Sequence, residues 1–296
     1  MRPTTGGAAR LQILFASMLW GTTGTSQALA PAGTTPLGVA SVRVCLGGLA
    51  LFLLGWGRGL LKNRRMSVPH IVAAAGSLVA AQLAFFAAVD RTGVAIGTVV
   101  AIGSSPIAAG ALAWIVRRER PGRRWAIATT LGVTGAVLLL TAGREVDVDP
   151  GGLGLALIVG LGYAGYIVST KDLVVEHPPD AVTAAVFGVA ATAMVPLLFV
   201  ADLGWTVDPK GLAIALHLGL VTVAFAYSIF SRGLIVVPAA IAVTLTLAEP
   251  LTAGVLGVVV LDERLTSIAG GGILLVLASL VLLTVPARAT PADSLE

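Results

Sequence analysis

The stretch Leu245–Leu265, "LTLAEPLTAGVLGVVVLDERL", places a glutamate and a proline, Glu249 and Pro250, inside an otherwise aliphatic segment. A buried carboxylate needs water or a partner, and a proline inside a helix removes one backbone hydrogen bond. A related order of features occurs earlier in Ile102–Arg120, "IGSSPIAAGALAWIVRRER". Both segments run from a proline through small and aliphatic residues to a glutamate and an arginine, which predicts a common structural role.

The composition indicates that the chain lies in a lipid bilayer. Of its 296 residues 56 % are hydrophobic and 11 % are charged, compared with roughly 25 % charged residues in a soluble domain. The 36 glycines suit close packing of helices in lipid. The basic residues stand in short loops between apolar runs, so we do not expect a nucleic-acid partner.

Ten apolar runs are long enough to span a membrane, and they predict an all-α integral membrane protein surrounded by lipid. The third and fourth runs are Val68–Val89 and Val94–Val116. If the chain starts in the cytoplasm, fourteen of its 19 Lys and Arg fall on the cytoplasmic side and four on the outer side, with Arg43 inside the second helix. The positive-inside rule therefore places both termini in the cytoplasm, and we expect a multi-pass protein of the bacterial inner membrane.

Two sets of landmarks divide the chain into similar halves. Pro106 and Pro250 are 144 residues apart, as are Glu119 and Glu263. Because each half contains five helices, an odd number, the second half must enter the membrane from the opposite side. We expect two inverted repeats, residues 1–145 and 146–296, around a central cavity, an arrangement typical of secondary transporters.

The tandem five-helix units, the "LWG" of the first helix, Arg43 in the second and "EPLTAGVLGVVVLDERL" in the ninth resemble the EamA-type proteins of the drug/metabolite transporter superfamily. The branch to which the sequence is most similar is that of the YddG-type amino-acid exporters. The resemblance covers nearly the whole chain, although serine stands in the first half where the second has Glu249. It implies ten helices around a central cavity and export of small metabolites by alternating access.

Three ionisable residues are candidates for the binding site. Glu249 lies near the middle of its helix, where an acidic group is a functional candidate by default; the alternative is a structural role in a kinked helix. Arg43 can snorkel to the outer surface, hold a substrate carboxylate, or pair with Asp90 or Glu249. His217 can carry protons or serve as an ordinary buried hydrogen-bonding group.

Helix-break positions are expected at Pro106 and Pro250, where freed carbonyls of Ile102 and Thr246 can meet water or a ligand. Aromatic and amide side chains offer further substrate contacts. Trp20 and Gln27, with Thr23 and Gly24, share one face of the first helix, and Tyr163 and Tyr166 stand three apart in its counterpart. Gln82 in the third helix completes the set. The alternative role for these residues is packing.

The function predicted from these features is export of amino acids, including aromatic ones, or similar metabolites by a secondary transporter rather than an enzyme. No Walker motif is present, so ATP is not the direct energy source, and protons are a candidate coupling ion. No cofactor or metal is expected, and the oligomeric state stays open. The alternatives are a channel-like facilitator and an intramembrane serine protease using Ser104 or Ser105 with His217.

Overall fold

A computed structural model describes residues 6–62, 64–142, 149–262 and 266–285, and the regular structure of these ranges is helical throughout. The helices of the first half are α1 (Gly6–Ala28), α2 (Pro36–Gly57), α3 (Val68–Arg117) and α4 (Arg123–Thr141). The second half begins with α5 (Pro150–Glu176) and α6 (Pro179–Met194), and α6 continues into a short 3-10 turn, Val195–Phe199.

The later helices of the second half are interrupted. The eighth span consists of α7 (Pro209–Leu216), a π-helical segment (His217–Phe225) and α8 (Ala226–Leu234). The ninth consists of α9 (Ala239–Leu245) and α10 (Ala248–Leu261), and α11 (Ser267–Thr284) is the last. The interruptions thus fall in two consecutive spans.

Nine segments within the described ranges are long and apolar enough to cross a membrane. The helix α1 is not one of them, because its second half contains "GTTGTSQ". Its 23 residues nevertheless extend over about 35 Å at 1.5 Å per residue, and it packs between α8 and α10 inside the bundle. With α1 as a span, the described ranges contain the ten membrane helices that the sequence predicts.

The helix α3 supplies two of these spans, because it folds back on itself. A straight helix of 50 residues would separate its ends by about 75 Å. Both ends instead contact Asp172 of α5: the Nε2 atom of His70 lies 3.9 Å from its carboxylate, and Arg117 forms an ion pair with it. The two legs, Val68–Val89 and Ile96–Arg117, are therefore antiparallel. The sequence predicted a loop between them, whereas the helical backbone continues through residues 90–95.

The two halves match in position and run in opposite directions. The starts of α1 and α5, and those of α4 and α11, are 144 residues apart. The Nε and Nη2 atoms of Arg124, at the start of α4, donate to the carbonyls of Leu282 and Val285 at the end of α11. These equivalent helices are thus antiparallel neighbours, as an inverted repeat requires.

Backbone geometry repeats at the same interval. Arg118 and Asp262, also 144 residues apart, have φ angles of 57° and 55° and are the positive-φ residues other than glycine within the described ranges. Their backbone N–H groups donate to Ala113 and Gly257, again 144 residues apart. Side chains rarely adopt this left-handed conformation, so its occurrence twice at one spacing indicates that both helices end by the same turn.

Glycines let equivalent helices of the two halves touch through their backbones. A Cβ atom at Gly135 would lie 2.6 Å from the carbonyl oxygen of Gly272, and one at Gly272 would lie 2.6 Å from that of Gly135. The pair α2 and α6 meets in the same way, where a Cβ at Gly48 would lie 2.5 Å from the carbonyl oxygen of Phe187. Lipid supplies no hydrophobic drive for association, so such close contacts stabilise the bundle.

The Gly272 contact predicts a difference between two adjacent glycines of α11. Gly272→Ala should lower the melting temperature of the detergent-purified protein, because the added methyl group overlaps backbone atoms of α4 and overpacking costs about 1–3 kcal/mol. Gly271→Ala is the matched control, since a Cβ there has no neighbour within 4 Å. Equal melting temperatures for the two variants would contradict this packing.

Candidate functional site

Ionisable groups from both halves lie within electrostatic reach of one another in the interior of the bundle. Glu249 stands ten residues into the ninth span and Arg43 seven residues into α2, and each is partly buried. Their charges act on one another, and the phenol of Tyr163 on α5 lies within electrostatic reach of both. These three predicted site residues therefore form one group, which we call the polar centre.

The two charges of the polar centre do not form a direct ion pair. The ion pairs of the described ranges join His70, Arg117, Glu119, Asp172, Asp180 and Arg232, all near the end of the bundle that holds the start of α1. We call this end the basic face. The buried Nε atom of Arg43 has no hydrogen-bond partner among the described residues. The side chain of Asp90, the other suggested partner, lies outside them. An unsatisfied buried donor costs about 1–3 kcal/mol, so the polar centre retains unused hydrogen-bonding capacity.

The ninth span is interrupted next to Glu249, and the break lies one turn before Pro250. The segment α9 ends at Leu245 and α10 begins at Ala248. The carbonyl of Thr246, expected to be free, accepts a hydrogen bond from the backbone N–H of Glu249 at 2.8 Å. The first half differs from the expectation more strongly, because α3 continues as a helix through Pro106. Only the second of the two predicted breaks interrupts a helix.

Five aromatic side chains form a packed layer in the interior of the bundle, which we call the aromatic layer. The ring of Tyr227 lies 4.6 Å from Trp20, 4.6 Å from Phe187 and 5.6 Å from Tyr166, and Phe230 lies 5.2 Å from Trp20. All five are buried. Trp20 and Tyr166 were expected to face the solute, but their rings pack within this layer instead. Tyr163 is partly exposed beside the charges.

The π-helical segment is held by two residues of α1. The Nε1 atom of Trp20 donates to the carbonyl of Thr222 at 2.9 Å. The hydroxyl of Thr22 lies 2.9 Å from Nε2 of His217, at the first residue of the segment. The π-helix is rare and often occurs at functional sites. Here it places His217 against α1.

The remaining predicted contacts are more dispersed. Gln27 is partly buried near the end of α1, and Gln82 is buried on the first leg of α3. Ser104 and Ser105 both donate to the carbonyl of Ala101, at 3.2 and 2.7 Å. Because His217 bonds Thr22 and the serines bond their own helix, the suggested Ser–His catalytic pair is not formed.

Sequence reasoning missed Tyr227 and Thr22. Tyr227 joins the aromatic layer to the polar centre, since Arg43, Glu249 and Tyr163 all act on it electrostatically. The chain has only three tyrosines. The ring of Tyr227 lies 5.6 Å from that of Tyr166, and Tyr163 acts on it electrostatically, so the small number of tyrosines was a signal that could have identified Tyr227. Nothing in the pattern separates Thr22 from its neighbour Thr23, whose hydroxyl is buried without a partner among the described residues.

Comparison with known proteins agrees with this architecture. The family described as "EamA-like transporter family" matches residues 8–141 and again residues 150–285. The chain belongs to the EamA-like transporter family. The double match assigns one copy of the EamA unit to each set of five spans.

Curated relatives of this EamA protein include named transporters. The "Uncharacterized transporter YwfM" of Bacillus subtilis (strain 168) is 41 % identical over 283 residues, 96 % of each chain. The "Threonine/homoserine exporter RhtA" of Escherichia coli (strain K12) is 30 % identical over 239 residues, 78 % of this chain and 76 % of that one. A solved crystal structure covers 94 % of this chain and 96 % of its own, with a TM-score of 0.82 at 20 % identity, which concerns the fold alone. This EamA protein is therefore a multi-pass membrane transporter of small molecules and not an enzyme.

Two tryptophans test the anchoring of the π-helical segment. Trp20→Phe should destabilise this EamA protein by about 1–3 kcal/mol, because the carbonyl of Thr222 loses its buried donor. Trp205→Phe is the control, since Trp205 is also buried, 4 % exposed against 8 % for Trp20, but its Nε1 has no partner among the described residues. Thermal unfolding in detergent measures both, and an equal loss in the two variants would rule out a specific contribution of the Trp20 bond.

Proposed function

We propose that this EamA protein exports small zwitterionic amino acids across the inner membrane by alternating access. The observation that carries the proposal is the polar centre, where the buried, unpaired Nε of Arg43 stands near the charge of Glu249 without a direct ion pair. An amino acid carries a carboxylate and an ammonium group, so it can be held between the two. The guanidinium fork suits the carboxylate, and Glu249 suits the ammonium.

The two charges belong to different halves, which supports alternating access. Arg43 lies on α2 of the first half and Glu249 on α10 of the second. A solute bound by both residues would couple to a rocking motion of one half against the other, which is how transporters with inverted repeats alternate access. The two ends of the bundle differ in charge, and we assign the basic face to the cytoplasm by the positive-inside rule.

The aromatic layer also bears on the choice of amino acid. Trp20 and Tyr166 pack against other rings, so they offer no free face on which an aromatic solute could stack. Small polar amino acids fit this arrangement better. RhtA, 30 % identical, is named a threonine/homoserine exporter, and we extend that substrate class to this chain.

Transport by proteoliposomes tests the proposal. Arg43→Gln should raise the KM for threonine or homoserine by about tenfold or more, because a hydrogen bond to a charged group contributes about 1.5–3 kcal/mol. The KM of Arg43→Lys should fall between those of the wild type and Arg43→Gln, since lysine keeps the charge but loses the planar guanidinium fork. Glu176→Gln, an exposed carboxylate at the end of α5, is the control and should transport normally. Uptake of neither amino acid by the wild type, or normal KM in Arg43→Gln, would reject this substrate class.

Coupling to protons is a separate prediction about Glu249. If its carboxylate exchanges protons during transport, an imposed pH gradient should accelerate uptake by the wild type and not by Glu249→Gln, which cannot ionise. Counterflow with equal pH on both sides reports whether the variant still binds substrate. Wild-type uptake that is indifferent to the gradient would eliminate proton coupling while leaving export intact. Normal uptake by the variant would also contradict the proposed contact between Glu249 and the substrate ammonium.

A further inference from the structure

An open cleft of about 510 Å³ lies at the basic face, between the end of α3 and the start of α4, away from the polar centre. Its walls are formed by six residues, Gly110, Ala111, Trp114, Arg120, Pro121 and Trp125. One end is lined by the small apolar residues Gly110 and Ala111, and the other carries the cationic side chain of Arg120. Such a division suits a ligand that is itself part apolar and part anionic.

The apolar part of the cleft has fixed walls. The ring of Trp125 packs on the backbone of Gly110, where a Cβ atom would lie 2.5 Å from its Cη2 atom. Its Nε1 atom donates to the carbonyl of Ala240 at 3.1 Å, which holds the indole in place. Trp114 stands opposite and is 53 % exposed. Two indoles at the edge of a membrane helix bundle are typical of the lipid–water interface.

The cationic end depends on the tight turn after α3. Arg118 adopts its left-handed conformation there, and the N–H of Glu119 returns to the carbonyl of Ala113 at 3.1 Å. The chain therefore reverses sharply, so that Arg120 and Pro121 reach the cleft.

The other arginines of this turn divide into two groups. Arg117 pairs with Glu119 and Asp172, and Arg124 donates to carbonyls of α11. Within the part of the chain that the structure describes, the side chains of Arg118, Arg120 and Arg123 are exposed and form no hydrogen bond or ion pair. Their positive charge is thus available to an anion.

We propose that this cleft binds one anionic phospholipid, with the phosphate on Arg120 and an acyl chain along Gly110 and Ala111 against Trp114. A guanidinium group holds phosphate through paired hydrogen bonds, and basic recesses between membrane helices on the cytoplasmic side suit acidic head groups. A free anion would use Arg120 alone and leave the apolar walls without a role, so the geometry favours the lipid.

The second half supplies an internal comparison. Arg264 is the counterpart of Arg120, 144 residues on, whereas Val258 and Ala269 stand where the first half has Trp114 and Trp125. The aromatic walls are therefore not a by-product of the repeat, because only one copy has them. That copy ends at the basic face, and the acidic lipids of bacterial membranes attract basic segments at the cytoplasmic leaflet.

Native mass spectrometry of the full-length protein in detergent tests the site, with dioleoyl phosphatidylglycerol and dioleoyl phosphatidylcholine as probes. The wild type should retain one phosphatidylglycerol in preference to phosphatidylcholine. Arg120→Gln should weaken that retention by about tenfold, through loss of a charge-assisted contact, and Trp114→Leu should weaken it for lipid of either head group. Arg65→Gln is the matched control, because Arg65 is exposed on the same face outside the cleft.

Three results would overturn the proposal: equal retention of the two lipids by the wild type, equal losses in Arg120→Gln and Arg65→Gln, or complete displacement by inorganic phosphate alone. The first two would indicate nonspecific attraction, and the third a site for free anions. A fluorescence measurement covers the case in which Arg120→Gln is unstable. Brominated phosphatidylglycerol should quench the wild type more than Trp114→Phe, and the difference between the two proteins should be smaller with brominated phosphatidylcholine. Equal quenching of both proteins by the acidic lipid also rejects the site.

Discussion

The interior of this transporter is organised around two opposite charges that the membrane makes costly. A charged side chain at the centre of a helix in lipid costs at least about 2.5–3.5 kcal/mol, so neither Arg43 nor Glu249 can face acyl chains without compensation. Each lies on a different half of the chain, and each acts on the other's charge. The halves must therefore associate so that both residues point inward. Association of the halves therefore creates the polar centre, and the cost of exposing either charge to lipid favours that association.

Association of the halves depends on glycine because hydrophobic burial does not distinguish helix contacts from lipid contacts. The reciprocal approach of Gly135 and Gly272 joins α4 to α11, and Gly48 joins α2 to α6. Each of these pairs consists of equivalent helices, so the contacts lie about a pseudo-two-fold axis. The helices α1 and α5 are left inside, α1 against α8 and α10, and α5 against both legs of α3. Trp20 and Tyr163 are carried into the interior by this arrangement.

The sequence predicts the fold well because its main features are local or periodic. Charge asymmetry, span length and the interval of 144 residues are properties of single segments, and the family match and the ten spans agree with them. The antiparallel turn in α3 was predicted, but its helical backbone through residues 90–95 was not. Hydrogen bonds within a short connection can keep it helical where composition alone suggests a loop.

The candidate site was less predictable, since it depends on how each helix is rotated about its axis. In a chain so rich in apolar residues and glycine, the sequence barely distinguishes the face of a helix that meets lipid from the face that meets a neighbour. The sequence placed Trp20 and Tyr166 on particular helix faces. It did not predict which rings they would contact, because Phe187 and Tyr227 come from other helices. The π-helical segment left no recognisable pattern either. It changes the register of the eighth span and so decides where Tyr227 points.

Two copies of one unit do not have to be equivalent in chemistry, and the pair Ser105 and Glu249 shows how they diverge. These residues occupy matching positions, each just before the proline of its half. Ser105 donates to the carbonyl of Ala101 four residues earlier and stays within a continuous helix. Glu249 follows a break, and its carboxylate reaches the neighbourhood of Arg43. If both positions held glutamate, two like charges would share the interior and Arg43 could not balance both. A single carboxylate opposite a single guanidinium gives the site one orientation, which is what a polar solute with two unlike ends requires.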